Sequence, residues 1–146
     1  MAGPTRQDTF RVTLRIVNPA TKGTVDFGVW DKKTGGETDS DQYKYKPGSM
    51  APQVSLGGTK TIGDLTISRL YRHERDHLRI QDLQSWCGRA RCTVAQLPLD
   101  LDGNSFGDPI TWTGILKTVT PPEHDSESTD PAMLELVISP DGNPVA

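Results

Sequence analysis

YKYKPGS at residues 43–49, GGTKTIGDLTISRLY at 57–71, ERDHLRIQDLQSWCG at 74–88 and RARCTV at 89–94 decide the fold. They read in order as strand, Pro-Gly break, Gly-Gly turn, strand, amphipathic helix and strand. In the helix, Leu78, Ile80, Leu83, Trp86 and Cys87 form one apolar stripe at a 3.6-residue period, predicting a helix over 74–87. Gly88 stands where a helix-ending glycine belongs. A lone amphipathic helix has to bury its stripe against a sheet.

Outward from that centre the chain alternates with a period of two. Phe10, Val12, Leu14 and Ile16 share one face of a strand at 10–17, and Arg11, Thr13 and Arg15 share the other. A strand at 24–30 places Val25, Phe27 and Val29 together. Tyr43 and Tyr45 share a face of a short strand at 43–46. Residues 49–59 read as a connection, and a strand follows over 61–71, with Gly63 marking a bulge or a close backbone approach. Strand 89–97 turns Ala90, Cys92 and Val94 inward and pairs with 110–119 as a hairpin with a long loop. The last strand, 132–139, turns Leu134, Leu136 and Ile138 inward. About seven strands and one helix make a mainly β domain over 10–139, with an N-terminal arm (1–9) and a C-terminal tail (140–146). DKKTGGETDSDQ at 31–42 has no hydrophobic residue and reads as a long polar loop. Such a loop in a compact domain is usually functional or disordered.

The 146 residues suffice for one domain with a real core. No apolar run approaches the roughly 20 residues that span a bilayer, and MAGPTRQDTF is not a secretory leader. The two cysteines, Cys87 and Cys92, make no disulfide framework and read as reduced thiols of a protein made in the cytoplasm. Charge divides unevenly. Residues 1–97 hold 15 Lys and Arg against 10 Asp and Glu, and residues 98–146 hold 1 against 9. A basic part and an acidic part on one chain suit a protein that packs against its own copies.

Several chemical motifs dissolve on inspection. His73-Glu74-Arg75-Asp76-His77 matches H-E-x-x-H, in which two histidines on one helix face hold zinc and the Glu polarises water. Here Arg72 and Arg75 place cations beside the metal position, and Leu83 stands where a third histidine would fall. The plainer reading is a charged, solvated first helical turn. Asp100, Asp102, Gly103 and Asn104 lack calcium-loop spacing and read as a turn. Residues 57–61, GGTKT, open onto a strand, so no helix N-terminus faces a phosphate. No catalytic constellation, cofactor site or metal site remains.

In KYKPGS (44–49), GGTKTIGDLTISR (57–69), the helix opening with Arg75-Asp76, strand 92–97, the turn DGN (102–104) and ITWTGILKTVTPPEHD (110–125), the chain resembles bacteriophage tail tube proteins, the major tail proteins. The likeness spans about residues 10–140 and lies in the order of elements. It implies a β-sandwich or barrel-like subunit with one flanking helix. It also implies hexameric rings that stack into a tube, through which double-stranded DNA passes without specific binding. The partners implied are copies of the chain and other tail proteins at the tube ends, with no membrane, in the virion. Type VI secretion and bacteriocin-type injection tubes share that architecture, and a small zinc metallohydrolase is the alternative of another class. On the tube reading, the 31–42 loop makes ring-to-ring contacts through Lys32, Lys33, Glu37, Asp39 and Asp41. A conduit for DNA calls for a net-acidic lumen; Arg89 and Arg91 on strand 89–97 and Lys117 on strand 110–119 depart from that expectation.

Overall fold

The computed structural model describes residues 5–141; the first four residues of the arm and the last five of the tail lie outside them. Among the described residues nine strands form: β1 (Phe10–Val17), β2 (Thr24–Trp30), β3 (Lys32–Gly35), β4 (Thr38–Tyr45), β5 (Val54–Ile62), β6 (Leu65–Leu70), β7 (Arg91–Pro98), β8 (Ile110–Thr120) and β9 (Met133–Pro140). A π-helical turn, His73–His77, leads into α1 (Leu78–Trp86). Seven strands make one antiparallel sheet in the order β2-β1-β7-β8-β9-β6-β3, and β4 and β5 pair separately. The mainly β, barrel-like fold with one flanking helix is therefore the one expected from the sequence.

The sheet closes on itself through a single residue. Its two outer strands, β2 and β3, are consecutive in the chain and separated only by Asp31. The Asp31 N–H donates to the Ser68 carbonyl at 3.1 Å, and its carboxylate accepts the Leu70 N–H at 3.0 Å. One bent strand thus pairs with β1 before the corner and with β6 after it. Closure removes the unpaired edges that an open sheet would expose. The interior is filled by Leu14, Ile16, Leu65, Ile67, Val94, Leu116, Leu136 and Ile138, all fully buried, with Leu83 of α1 covering one end.

Local chemistry explains where the sequence pattern slips. In β2, Phe27 is an extra residue opposite β1, whose register jumps between Leu14 and Arg15, and Gly28 takes φ +77°. A bulge flips the side-chain parity beyond it. Val29, expected beside Phe27, therefore faces outward at 52% exposure, and Trp30 faces in. Leu78, expected on the helix stripe, is 82% exposed. It lies five residues from Leu83, about 140° around the helix axis. Leu83 is fully buried, and Ile80, Trp86 and Cys87 are half-buried. Gly88 follows the helix at φ +82°.

Residues 31–42, expected as a loop, hold β3 and the first half of β4. The expected strand 61–71 divides at Gly63-Asp64 into the end of β5 and β6, and β5 begins inside the expected connection. Gly114 lies where β8 crosses β9, and a Cβ there would stand 2.1 Å from the Ser139 carbonyl oxygen. Backbone cannot yield as a side-chain tip can, so Gly114→Ala should cost about 1–3 kcal/mol in denaturant unfolding.

Candidate functional site

Strands β4 and β5 leave the barrel as a two-stranded ribbon. Its base is fixed where β3 meets β6: the Gly36 N–H donates to the Asp64 carbonyl at 3.3 Å and the Gly63 N–H to the Glu37 carbonyl at 2.9 Å. In the ribbon Tyr43 faces Leu56 and Tyr45 faces Val54. Side chains paired this way stand on one face. All four are large hydrophobics with 45–60% of their surface exposed. Lys44 and Lys46 fall on the other face. At the tip the Ala51 N–H donates to the Gly48 carbonyl, and the two central residues, Ser49 and Met50, take φ +62° and +59°. Left-handed backbone costs an ordinary residue roughly 1–2 kcal/mol and is normally left to glycine or asparagine. Met50 nevertheless holds its side chain out at 99% exposure.

The five residues expected to carry assembly do not lie together. Lys32 is exposed on β3 opposite Ser68. Lys33 faces the inside, where its ammonium lies 3.9 Å from the centre of the Trp112 ring and donates to the Gln96 amide oxygen at 2.9 Å. Burial pushes its pKa down. Glu37 is exposed at the ribbon base, with its carboxylate packed against Gly63. Asp39 pairs opposite Thr61, and Asp41 stands in the register shift between Ser40 and Gln42. Four of the five are thus exposed on β3 or the ribbon, and Lys33 helps to fill the end of the barrel. The expectation missed the ribbon's apolar face, although Tyr43, Tyr45, Val54 and Leu56 were visible in the sequence as alternating residues.

The H-E-x-x-H stretch forms the π-helical turn. His73 and His77 stand edge to face with ring centres 6.1 Å apart, and His77 Nδ1 lies 3.2 Å from the Tyr71 hydroxyl. Among the described residues no three His, Cys, Asp or Glu side chains converge to hold a metal. The first turn was expected to be solvated, but Asp76 is buried, with 1% of its surface exposed. It accepts the Arg72 N–H at 3.1 Å, pairs with Arg75 at 3.0 Å, and pairs with the buried Arg69 of β6. Arg69 Nη1 also reaches the carbonyl of the bulge residue Phe27, and its guanidinium lies 4.4 Å from the centre of the Trp30 ring. Burial alone would raise the Asp76 carboxyl; hydrogen bonds from Arg75 and Arg72, with the charges of Arg69 and Arg75, hold it below the ordinary value. This constellation fastens the helix to the barrel.

Of Arg89, Arg91 and Lys117, only the first lies outside the sheet, in the turn before β7, and the other two pair within the chain. Arg91 pairs with Asp141 and Lys117 with Asp64. Beside the end of β8 and the start of β9, loop 121–131 borders an open hollow of about 420 Å³ whose lining includes Glu123, Asp125, Asp130 and Glu135.

No family model and no curated protein sequence matches the chain. Solved structures do share its fold. A chain in the cryo-EM structure of the anti-feeding prophage baseplate superposes with a TM-score of 0.67 at 15% identity, covering 97% of this chain and 94% of that one. A chain of the anti-feeding prophage tube-terminating cap gives 0.64 at 13% identity, with 97% and 89% covered. A chain of the sheath/tube terminator of the extracellular contractile injection system PVC gives 0.63 at 16% identity, with 96% and 94% covered. At such identities the likeness is one of fold.

Proposed function

We propose that this chain is a structural, non-enzymatic subunit that assembles with its own copies into stacked, hexameric rings forming the tube of a tail-like particle. The observation that carries the reading is the ribbon: a closed barrel projects one sheet element whose apolar face has no counterpart among the described residues. Contiguous exposed apolar surface rimmed by polar residues marks an interaction site. The full-length fold likeness to chains of tube-terminating and baseplate structures supports the same reading. Other tail proteins would cap the tube, and DNA would pass through it in a phage tail. The internal pairing of Arg91 and Lys117 suits such a conduit, because paired cations bind phosphate less readily.

Electron microscopy of the purified protein, with light scattering, tests the proposal. Rings or hollow tubes are expected, unchanged by EDTA. A dispersed monomer at every concentration would overturn it. DNA recovered from assembled native particles would favour a phage tail, and particles free of DNA an injection device. Tyr43→Ser together with Leu56→Ser should leave the thermal midpoint nearly unchanged and abolish assembly, read by sedimentation.

A further inference from the structure

The ribbon and the acidic pocket stand at opposite ends of one barrel. The ribbon leaves where Gly35 of β3 meets Leu65, the first residue of β6. The pocket adjoins the other end of β6, where Leu70 pairs with Met133 and the Tyr71 N–H reaches the Ala132 carbonyl. The six residues of β6 separate them, about 20 Å of strand.

Their chemistry is complementary. Near the ribbon tip Lys44 and Lys46 are exposed, and Met50 projects from its left-handed turn. The pocket is lined by Glu123, Asp125, Asp130 and Glu135 together with Pro131 and Met133, and His124 is the one basic side chain among its described lining residues. A tip of two ammonium groups and one thioether complements a pocket lined by carboxylates, with Pro131 and Met133 among them. A chain whose complementary surfaces lie at opposite ends cannot satisfy them internally, and the contact repeats head to tail between copies.

We infer that the basic tip of the ribbon, centred on Lys44, Lys46 and Met50, docks into the 121–131 pocket of a second copy. This rests on the self-assembly reading and names the surface that receives the ribbon. Because the groups are exposed, the attraction weakens as salt rises.

The test is a pair of charge reversals. K44E/K46E has an acidic tip and an acidic pocket; E123K/D125K/D130K, which leaves Glu135 against three lysines, has a basic tip and a basic pocket. Each variant alone should lose about tenfold or more of its assembled mass, because like charges then face each other. An equimolar mixture should recover assembly, since each tip then meets a pocket of opposite charge. Circular dichroism checks that both variants fold. Carbodiimide treatment of mixed heavy- and light-isotope wild-type copies should join Lys44 or Lys46 of one copy to Glu123 or Asp130 of another, read by mass spectrometry. Wild-type protein that assembles while both reversals assemble equally well, or crosslinks confined to other segments, would overturn the docking and leave self-assembly standing. Folded variants that stay dispersed when mixed would also overturn it. Wild-type protein that neither assembles nor crosslinks between copies would overturn both.

Discussion

Asp76→Ala is expected to cost about 3–5 kcal/mol, because removing one partner of a buried ion pair leaves the other charge uncompensated. Arg69, itself 2% exposed, would keep its contact with the Phe27 carbonyl but lose its carboxylate. Denaturant unfolding monitored by tryptophan fluorescence reads the loss, since Trp30 lies against the guanidinium. The double variant R69M/D76L should cost much less than the single change, because it removes both charges and leaves apolar groups in their place. The same pair dictates an acid response. The folded-state pKa of Asp76 lies below its ordinary value. Its contribution is therefore complete above the unfolded carboxyl pKa of about 3.9 and is lost as pH falls through the folded value. The wild-type protein should lose stability through that acidic window more steeply than Asp76→Ala, whose baseline is already lower.

Replacing residues 39–61 by a short Gly-Ser linker should leave a folded barrel that no longer assembles, whereas deleting 31–42 should prevent folding altogether. The two segments overlap in sequence but differ in physical role. Most of the ribbon is exposed on both faces, so its loss opens no cavity. The 31–42 segment contains Asp31 and β3, which join the two ends of the sheet, and Lys33, which packs on Trp112. Its loss would reopen the barrel and bare the β6 edge. Cooperative thermal unfolding of the ribbon-less protein, set beside the solubility of the 31–42 deletion, checks both halves. A well-folded 31–42 deletion would refute the account of closure.

The reasons why parts of this fold were legible in sequence are local. Strands β1 and β2 occupy the spans that alternation gave them, and β7 to β9 differ by a residue or two, because each turns one face to the core and period two records that. Residues 38–42 and 57–60 have no core to face and no alternating apolar residues, and Val54 and Leu56 alternate over too short a run beside Pro52 to mark a strand. DKKTGGETDSDQ was silent for that reason, and its lack of apolar residues reads in retrospect as exposure of a sheet element. The parity flip at Phe27 followed from Gly28 at positive φ, and a glycine inside an alternating run was the one available signal. Asp76 was misread as a solvated helix-start acid because its partner, Arg69, lies seven residues earlier on a strand, where no helical spacing relates them. The pocket in loop 121–131 was visible only as an acidic, turn-rich stretch; its facing of the opposite barrel end from the ribbon is a property of topology alone.

The closure at Asp31 also sets an order of events in time. Phe10 of β1 pairs with Pro98 of β7, so the barrel depends on contacts between distant parts of the chain, which form slowly. The ribbon strands are near neighbours in sequence and can pair early, but their direction is fixed only when β3 meets β6. A half-made subunit therefore carries an arm that points nowhere in particular. On the proposed assembly, only a finished subunit would present the arm at the angle a growing particle accepts, and completion of the fold would act as quality control on what is built in.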